Sequence, residues 1–254
     1  MKTISIINLK GGVAKTISAI NIAYILAAVN GARVLLVDND KQGNTSKFFG
    51  LYSYEHPGMA EIMTERNTTA AHVFVHTRYP SLDLISANMN LLRANKEVLL
   101  DVSRPQQTRL RKALEPVSGL YDYCVIDNAP DINMSVINAL VASDMVLVPI
   151  KIDKFAFDGL DVLQDQIEDL QDFNAGLKIT RCFVTMYQSN NINAQGYKWL
   201  AAQSKYPLFK TKIRKTVKVD ETTFAGLPLL EYAKNSTATR DYIALVSELL
   251  EKDR

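Results

Sequence analysis

Nine residues near the start of the chain, Asn8–Thr16 (N-L-K-G-G-V-A-K-T), are of types that bind phosphate groups. Gly11 and Gly12 allow backbone N–H groups to crowd around an anion. Lys15 is placed to reach β- and γ-phosphates, and the Thr16 hydroxyl to hold Mg²⁺. The alternative is a turn that only caps a helix, in which the two lysines have no role. The motifs further along the chain favour phosphate binding. The expected contacts are Lys10, Gly11, Gly12, Val13, Ala14, Lys15 and Thr16.

Two later segments supply carboxylates. The apolar run Arg33–Val37 leads into D-N-D-K-Q-G-N-T-S, which begins at Asp38. Side chains at alternate positions leaving a strand point opposite ways unless the chain has turned, so one of Asp38 and Asp40 can face the ligand while the other braces the loop. An Asx-turn at a strand end is the alternative. The second segment, Tyr121–Asp127, is an apolar strand that ends in Asp127, a position suited to anchoring Mg²⁺ through water.

The surrounding elements must bring these groups together. Lys2–Ile7 is predicted to be a buried strand, and the apolar spacing of Ile17–Val29 predicts a helix after the loop. Buried strands alternating with helices predict an α/β fold with a twisted, mostly parallel sheet covered by helices on both faces. Ligands bind beyond the carboxyl ends of such strands. Further strands are predicted at 81–86, 145–150 and 178–186, and further helices at 88–101, 106–116 (with Pro105 suited to a first helical position), 157–174 and 237–254.

The three motifs together resemble the ParA/MinD family of deviant Walker A ATPases. The loop fits K-G-G-x-G-K-[ST] except at Ala14, and Asp38 onward fits V-D-x-D-P-Q-G-N except at Lys41. Beyond Asp127 the chain fits D-T-P-P and N-A-L except at Asn128 and Ala129. The nearest match is the short ParA-type partition ATPase without an N-terminal helix-turn-helix domain. An alanine forced to positive φ costs about 1 kcal/mol relative to glycine.

The resemblance implies an ATP- and Mg²⁺-dependent homodimer that hydrolyses ATP slowly. Lys10 takes the position of the family lysine that reaches the partner's phosphates. The implied catalytic residues are Lys10, Lys15 and Asp40. The implied metal-side residues are Thr16, Asp127 (through water) and Asp40. A centromere-binding ParB-type protein is the implied partner that stimulates hydrolysis.

The segment 198–218 is basic and contains no acidic residue. A local block of this kind on a nearly neutral chain, of net charge +2, suits the phosphate backbone of DNA. The family resemblance places non-specific DNA contacts at Arg214 and Lys218. Lys215, Lys198 and Lys205 are the further candidates. A solvated face with extended lysine stems is the alternative.

The 254 residues are consistent with one ATPase domain spanning 1–254. Cys124 and Cys182 fall in apolar strands, and no apolar run approaches a membrane span of about 18 residues, so we expect a cytoplasmic, nucleoid-associated protein. The end of the chain mixes charges without an aromatic anchor, so no stable membrane association is expected. The alternatives are a MinD-like membrane or cargo-positioning ATPase and a nucleotide-binding scaffold with little hydrolysis.

Overall fold

The eight strands of the described chain join one sheet in the order β3-β4-β2-β5-β1-β6-β7-β8. The computed structural model describes residues 1–153, 158–202 and 205–251. The strands are β1 (Lys2–Ile6), β2 (Val34–Asn39), β3 (Phe74–His76), β4 (Leu82–Ile85), β5 (Tyr123–Asn128), β6 (Met145–Lys151), β7 (Ile179–Tyr187) and β8 (Leu208–Arg214). Only the pairing of β3 with β4 is antiparallel among them.

Twelve α-helices are present in the described residues. They are α1 (Lys15–Ala28), α2 (Asn44–Phe48), α3 (Met59–Thr64), α4 (Ala70–Val73), α5 (Asn90–Leu100), α6 (Arg109–Leu114), α7 (Met134–Val141), α8 (Asp158–Asp169), α9 (Asn191–Ala202), α10 (Val217–Ala225), α11 (Leu229–Tyr232) and α12 (Thr237–Glu251). A short 3-10 turn, Glu115–Val117, follows α6.

Apolar side chains of alternate strand residues pack on opposite faces of the sheet, because successive side chains of a strand point to opposite sides. Leu36 of β2 packs with α1 and α12, whereas its neighbour Leu35 packs with α3, α5 and α6. A third apolar cluster lies between β6, β7 and the helices α7, α8 and α9. The predicted mostly parallel sheet with helices on both faces is therefore confirmed.

The predicted helix at 106–116 is wrong in its start. Helix α6 begins at Arg109, and Pro105 does not lie in its first turn. The N–H groups of Arg109 and Leu110 donate to Oδ1 of Asn138, at 2.7 and 3.2 Å. The group that caps α6 therefore comes from α7, so no sequence pattern near residue 109 indicates where α6 begins. The predicted helix start at Phe157 and the predicted helix end at Arg254 lie outside the described residues.

Strand β8 pairs with β7 and forms one edge of the sheet, and three of its N–H groups bond to carboxylates of α12. Lys210 and Thr211 donate their N–H groups to Glu248, at 3.0 and 3.1 Å. The N–H of Arg214 donates to Asp241 at 2.9 Å. Helix α12 thus covers this edge.

The three strands that precede the motifs are neighbours in the centre of the sheet, in the order β2-β5-β1. Asp38 of β2 and Ile6 of β1 both lie beside Asp127 of β5. Because these pairings are parallel, the loops that follow the three strands leave from the same edge. That edge is where the candidate site lies.

Candidate functional site

The loop between β1 and α1 is held open by contacts to neighbouring strands. Asn8 receives the N–H of Lys10 on Oδ1 at 2.8 Å and donates Nδ2 to the carbonyl of Pro149 at 2.8 Å. The hydroxyl of Thr185, on β7, donates to the carbonyl of Val13 at 3.1 Å. A Cβ at Gly11 would meet no atom within 4 Å, so the loop faces open space. These contacts leave the loop backbone available to a ligand.

Ala14 has φ 67° and ψ 32°, in the left-handed region, and it directly precedes α1. The sequence predicts strain at Ala14 only if its φ is positive, and the structure has that positive φ. A Cβ in this region costs about 1 kcal/mol relative to glycine. The chain carries this strain in its phosphate loop.

Lys15 is the buried cation of the site. Its side chain is folded back so that Nζ donates to the carbonyl of Lys10 at 3.0 Å, and the residue is only 8% exposed. Burial lowers the pKa of this ammonium, and the carboxylates of Asp127, Asp40 and Asp131 oppose the shift. An ammonium in this position attracts a polyphosphate.

Lys10, the second lysine of the loop, points to a different partner. Its Nζ forms a bidentate ion pair with the carboxylate of Asp153, just beyond β6. Both side chains are about one-third exposed, at 33% each. Within a single chain, the amine of Lys10 is therefore held on the rim of the site.

Asp38 and Asp40 occupy different environments. Asp38 is fully buried and accepts the N–H and the hydroxyl of Ser46, at 2.8 and 2.7 Å, which ties β2 to α2. Burial, with the charge of Asp127, raises the pKa of Asp38 to about 8. Asp40 is partly exposed, and its Oδ1 accepts the N–H of Gln42 at 2.9 Å. Asp38 thus braces the loop, and Asp40 both closes an Asx-turn and lies within electrostatic reach of Lys15.

Asp127 is the carboxylate at the base of the site. Its Oδ2 accepts the hydroxyl of Thr45 at 2.8 Å, whereas Oδ1 is buried and has no hydrogen-bond partner in the described residues. Burial raises the pKa of Asp127 to about 6, and the hydroxyls of Thr45 and Thr16 oppose that shift. A buried acceptor without a donor fits a site that receives a hydrated cation.

Sequence reasoning did not identify two polar residues at this edge, Asn39 and Thr45. Thr45 donates to Asp127, and Asn39 donates to Oδ1 of Asn128 at 2.8 Å and to the carbonyl of Ser135 at 3.0 Å. Oδ1 of Asn39 is buried without a hydrogen-bond partner in the described part of the chain. The signal was present, because Asn39 and Thr45 lie inside the segment that begins at Asp38.

A cavity of about 60 Å³ adjoins the loop at the carboxyl ends of β7 and β8. Ala14 forms one wall, and Thr185 and Met186 form the β7 side. Thr216 and Val219 close it from the start of α10. No motif in the sequence pointed to this cavity, because its walls come from four separate segments.

The five candidate DNA-binding residues divide into two groups. Arg214 forms an ion pair with Asp241 at 2.6 Å, Lys218 with Glu221 at 2.8 Å, and Lys205 with Asp161 at 3.2 Å. Lys198 and Lys215 are exposed and form no ion pair within residues 1–153, 158–202 and 205–251. Three of the five candidate cations are therefore already paired with a carboxylate of the same chain.

None of the helices in the described residues is both long and apolar enough to cross a membrane.

Comparison with known proteins identifies relatives over nearly the whole chain. The AAA_31 family model, described as an AAA domain, matches residues 1–179. The chromosome partitioning protein ParA of Caulobacter vibrioides is 33% identical over 258 residues, covering 100% of this chain and 96% of that protein. The sporulation initiation inhibitor protein Soj of Bacillus subtilis is 32% identical over 250 residues, covering 98% of each chain.

A solved structure of an enzyme with a different name has the same fold. Cobyrinic acid a,c-diamide synthase from Mycobacterium smegmatis, with a bound ATP analogue and magnesium, superimposes with a TM-score of 0.84 at 26% identity, covering 98% of this chain and 94% of that one. The family match, the full-length relatives and the loop with its two lysines lead to the same assignment. The chain belongs to the ParA/MinD family of deviant Walker A ATPases and is a ParA-type ATPase.

Proposed function

We propose that this ATPase binds ATP with Mg²⁺ at the carboxyl edge of β1, β2 and β5 and hydrolyses it slowly. The observation that carries this proposal is the convergence of the buried Lys15 of the phosphate-type loop with carboxylates from the ends of two neighbouring strands, β2 and β5. The N–H groups from Gly11 to Thr16 hold the phosphates, and Lys15 balances the charge of the β- and γ-phosphates. Asp40, the partly exposed carboxylate, orients the attacking water.

The residues present fit a magnesium ion. Thr16, Asp127 (through water) and Asp40 offer the hard oxygen ligands that Mg²⁺ prefers, and the unpartnered Oδ1 of Asp127 is available to accept from metal-bound water. When bound, Mg²⁺ neutralises charge that develops on the phosphates.

Lys10 is the residue from which we infer a dimer. Two subunits that meet over their nucleotide sites bury two triphosphates, which require additional positive charge. The amine of Lys10 lies on the rim, where it can leave Asp153 for the phosphates of the partner subunit. Hydrolysis removes the group that this amine holds, so the nucleotide switches the chain between monomer and dimer.

The dimer would bind DNA without sequence preference and would be released by hydrolysis that a centromere-binding ParB-type partner stimulates. Two observations support this role in partition: the name of the Caulobacter relative, and the basic segment that ends at Lys218. Phosphate contacts by exposed lysines carry no sequence information. The protein would then be associated with the nucleoid and move or space a plasmid or chromosome.

A nucleotide-binding scaffold with little hydrolysis is the second candidate. The strained Ala14 and the replacement of a family proline by Lys41 favour it, because both lie in loops that position the phosphates. Measuring ATP hydrolysis with and without DNA separates the two candidates.

The dimer is tested with Lys10→Ala. We expect the wild-type chain to form a dimer with Mg²⁺ and a non-hydrolysable ATP analogue, and the variant to remain a monomer, because the cation supplied to the partner's phosphates is gone. Light scattering coupled to size-exclusion chromatography gives the mass directly.

Asp153→Asn is the matched control. It frees Lys10 from its ion pair and leaves the amine in place, so dimerisation should persist and require no more of the analogue than the wild type. A Lys10→Ala chain that dimerises like the wild type would contradict the proposed mechanism.

A further inference from the structure

Two charged residues that the family motifs do not contain lie together at the mouth of the site. Lys41 stands where the second motif has proline, and Asp131 follows Pro130 in the loop after Asp127. Their side chains form an ion pair, with Lys41 Nζ 3.7 Å from Asp131 Oδ2. The pair joins the loop after β2 to the loop after β5.

The ion pair lies at the same edge of the sheet as the phosphate loop, because Lys41 directly follows Asp40 and Asp131 lies in the loop after β5, the strand beside β1. Asp131 is one of three carboxylates close enough to Lys15 to raise the pKa of its ammonium, together with Asp127 and Asp40. A negative charge at this position opposes a triphosphate, whose third phosphate brings the most charge. Lys41, the neighbour of Asp40 in the chain, is the cation that offsets it.

The two partners are not equally fixed. Oδ2 of Asp131 accepts Nδ2 of Asn133 at 3.2 Å, and Oδ1 of Asn133 accepts the N–H of Val136 at 3.1 Å as the N-cap of α7. Lys41 makes no side-chain hydrogen bond within the described residues, and 3.7 Å is too long for one. Its side chain is 30% exposed on a flexible four-carbon stem. Lys41 can therefore move, whereas Asp131 is anchored to a helix.

We propose that Lys41 is a ligand of the terminal phosphate of ATP within its own subunit, exchanging Asp131 for that phosphate. This inference rests on the proposed function. Each nucleotide would then meet two cations, Lys41 of its own subunit and the Lys10 that the other subunit supplies. ADP lacks the terminal phosphate and leaves the Lys41–Asp131 pair intact. The exchange therefore selects ATP over ADP before two subunits meet.

The test compares two nucleotides in a chain that cannot dimerise. In the Lys10→Ala background, Lys41→Gln should weaken binding of Mg²⁺ with the non-hydrolysable analogue AMPPNP about tenfold, the loss of one charge-assisted hydrogen bond. Binding of Mg²⁺ with ADP should change less than about twofold, since Lys41 does not reach the β-phosphate. Isothermal titration calorimetry gives both dissociation constants.

Further variants separate this role from a structural one. Lys41→Arg keeps the charge and should retain most of the AMPPNP affinity. Asp131→Asn removes the opposing carboxylate and should strengthen AMPPNP binding, and adding it to Lys41→Gln should recover part of the loss. Lys96→Gln, at an exposed lysine of α5 beside the same loops, is the matched control and should change neither affinity.

The outcomes that overturn the inference are distinct from those that overturn the proposed function. If Lys41→Gln weakens the binding of AMPPNP and of ADP equally, or changes the binding of neither, Lys41 is not a ligand of the terminal phosphate. If the chain with Lys41 and Asp131 intact binds neither nucleotide, the proposed ATP site itself fails. Melting curves without nucleotide show that each variant is folded.

Discussion

Ala14 shows how a single residue can weaken a motif without abolishing it. The position lies in the left-handed region, which an L side chain occupies at a cost, and the family motif has glycine there. The loop is nevertheless held in shape by Asn8 and by the Thr185 hydroxyl, which bond to neighbouring backbone groups. Contacts from β6 and β7 thus impose a conformation that the residue itself disfavours.

Replacing Ala14 by glycine should stabilise the nucleotide-free chain. Relief of about 1 kcal/mol of strain should raise the melting temperature by roughly 2–4 °C, measured by differential scanning calorimetry. The control is Ala244→Gly, the same change at an exposed position inside α12, which should lower the melting temperature because glycine costs up to about 1 kcal/mol in a helix. Equal destabilisation by both changes would show that Ala14 carries no strain.

At the scale of elements, the connection between β2 and α2 depends on a buried carboxyl group. Asp38 at the end of β2 accepts both hydrogen bonds from Ser46 in α2. Its pKa is raised to about 8 by burial, from about 3.9 in an unfolded chain. The unfolded chain releases this proton first, so this group makes the free energy of unfolding fall as the pH rises from about 4 to about 8.

We therefore expect the melting temperature of the nucleotide-free chain to be lower at about pH 8.5 than at about pH 6.5. These two pH values lie on either side of the pKa of Asp38. Asp38→Asn should reduce the difference. Asp122→Asn should not, because the ion pair with Arg33 lowers the pKa of Asp122 to about 2, far below this range. An unchanged pH dependence in the Asp38 variant would place the titration elsewhere.

The central elements could be predicted from the sequence, and the peripheral ones could not. Strands β1, β2 and β5 are buried on both faces and so appear as apolar runs, each followed by a motif. Strand β3 has only three residues, and β8 (L-F-K-T-K-I-R) mixes apolar with basic residues and so does not appear as an apolar run. The start of α6 depends on Asn138, which lies 29 residues from Arg109 in the sequence.

The same distinction holds for the site. The phosphate loop, Asp40 and Asp127 could be named because their order along the chain carries the signal. The partners of the charged residues could not, because Arg214 and Asp241 are 27 residues apart and Lys205 and Asp161 are 44 apart. A sequence shows where cations lie but not which carboxylates will neutralise them.

At the scale of the whole molecule, this neutralisation changes where DNA contacts are expected. An ion-paired cation must lose its carboxylate before it can hold a phosphate, so Lys198 and Lys215 should contribute more than Arg214 and Lys218. The proposed DNA surface is therefore carried mainly by the exposed lysines of α9 and of the segment after β8.

Changing Lys198 and Lys215 together to glutamine should weaken DNA binding of the ATP-analogue dimer equally across sequences and reduce the slope of log affinity against log salt by about two for each subunit that contacts the DNA. Changing Arg214 and Lys218 together should reduce it less. Lys112→Gln, at an exposed lysine on α6, serves as control. Fluorescence anisotropy at several salt concentrations measures the slopes. A larger effect from the Arg214 and Lys218 pair would show that phosphates displace their carboxylates.

The carboxylates that α12 places on β8 also bear on how copies of the chain can associate. An edge strand with free N–H donors invites another chain to extend the sheet, which is a common route to aggregation. Glu248 and Asp241 occupy three of those donors. A chain truncated before α12 would therefore expose these donors together with the apolar cluster that α12 covers, and both changes favour aggregation.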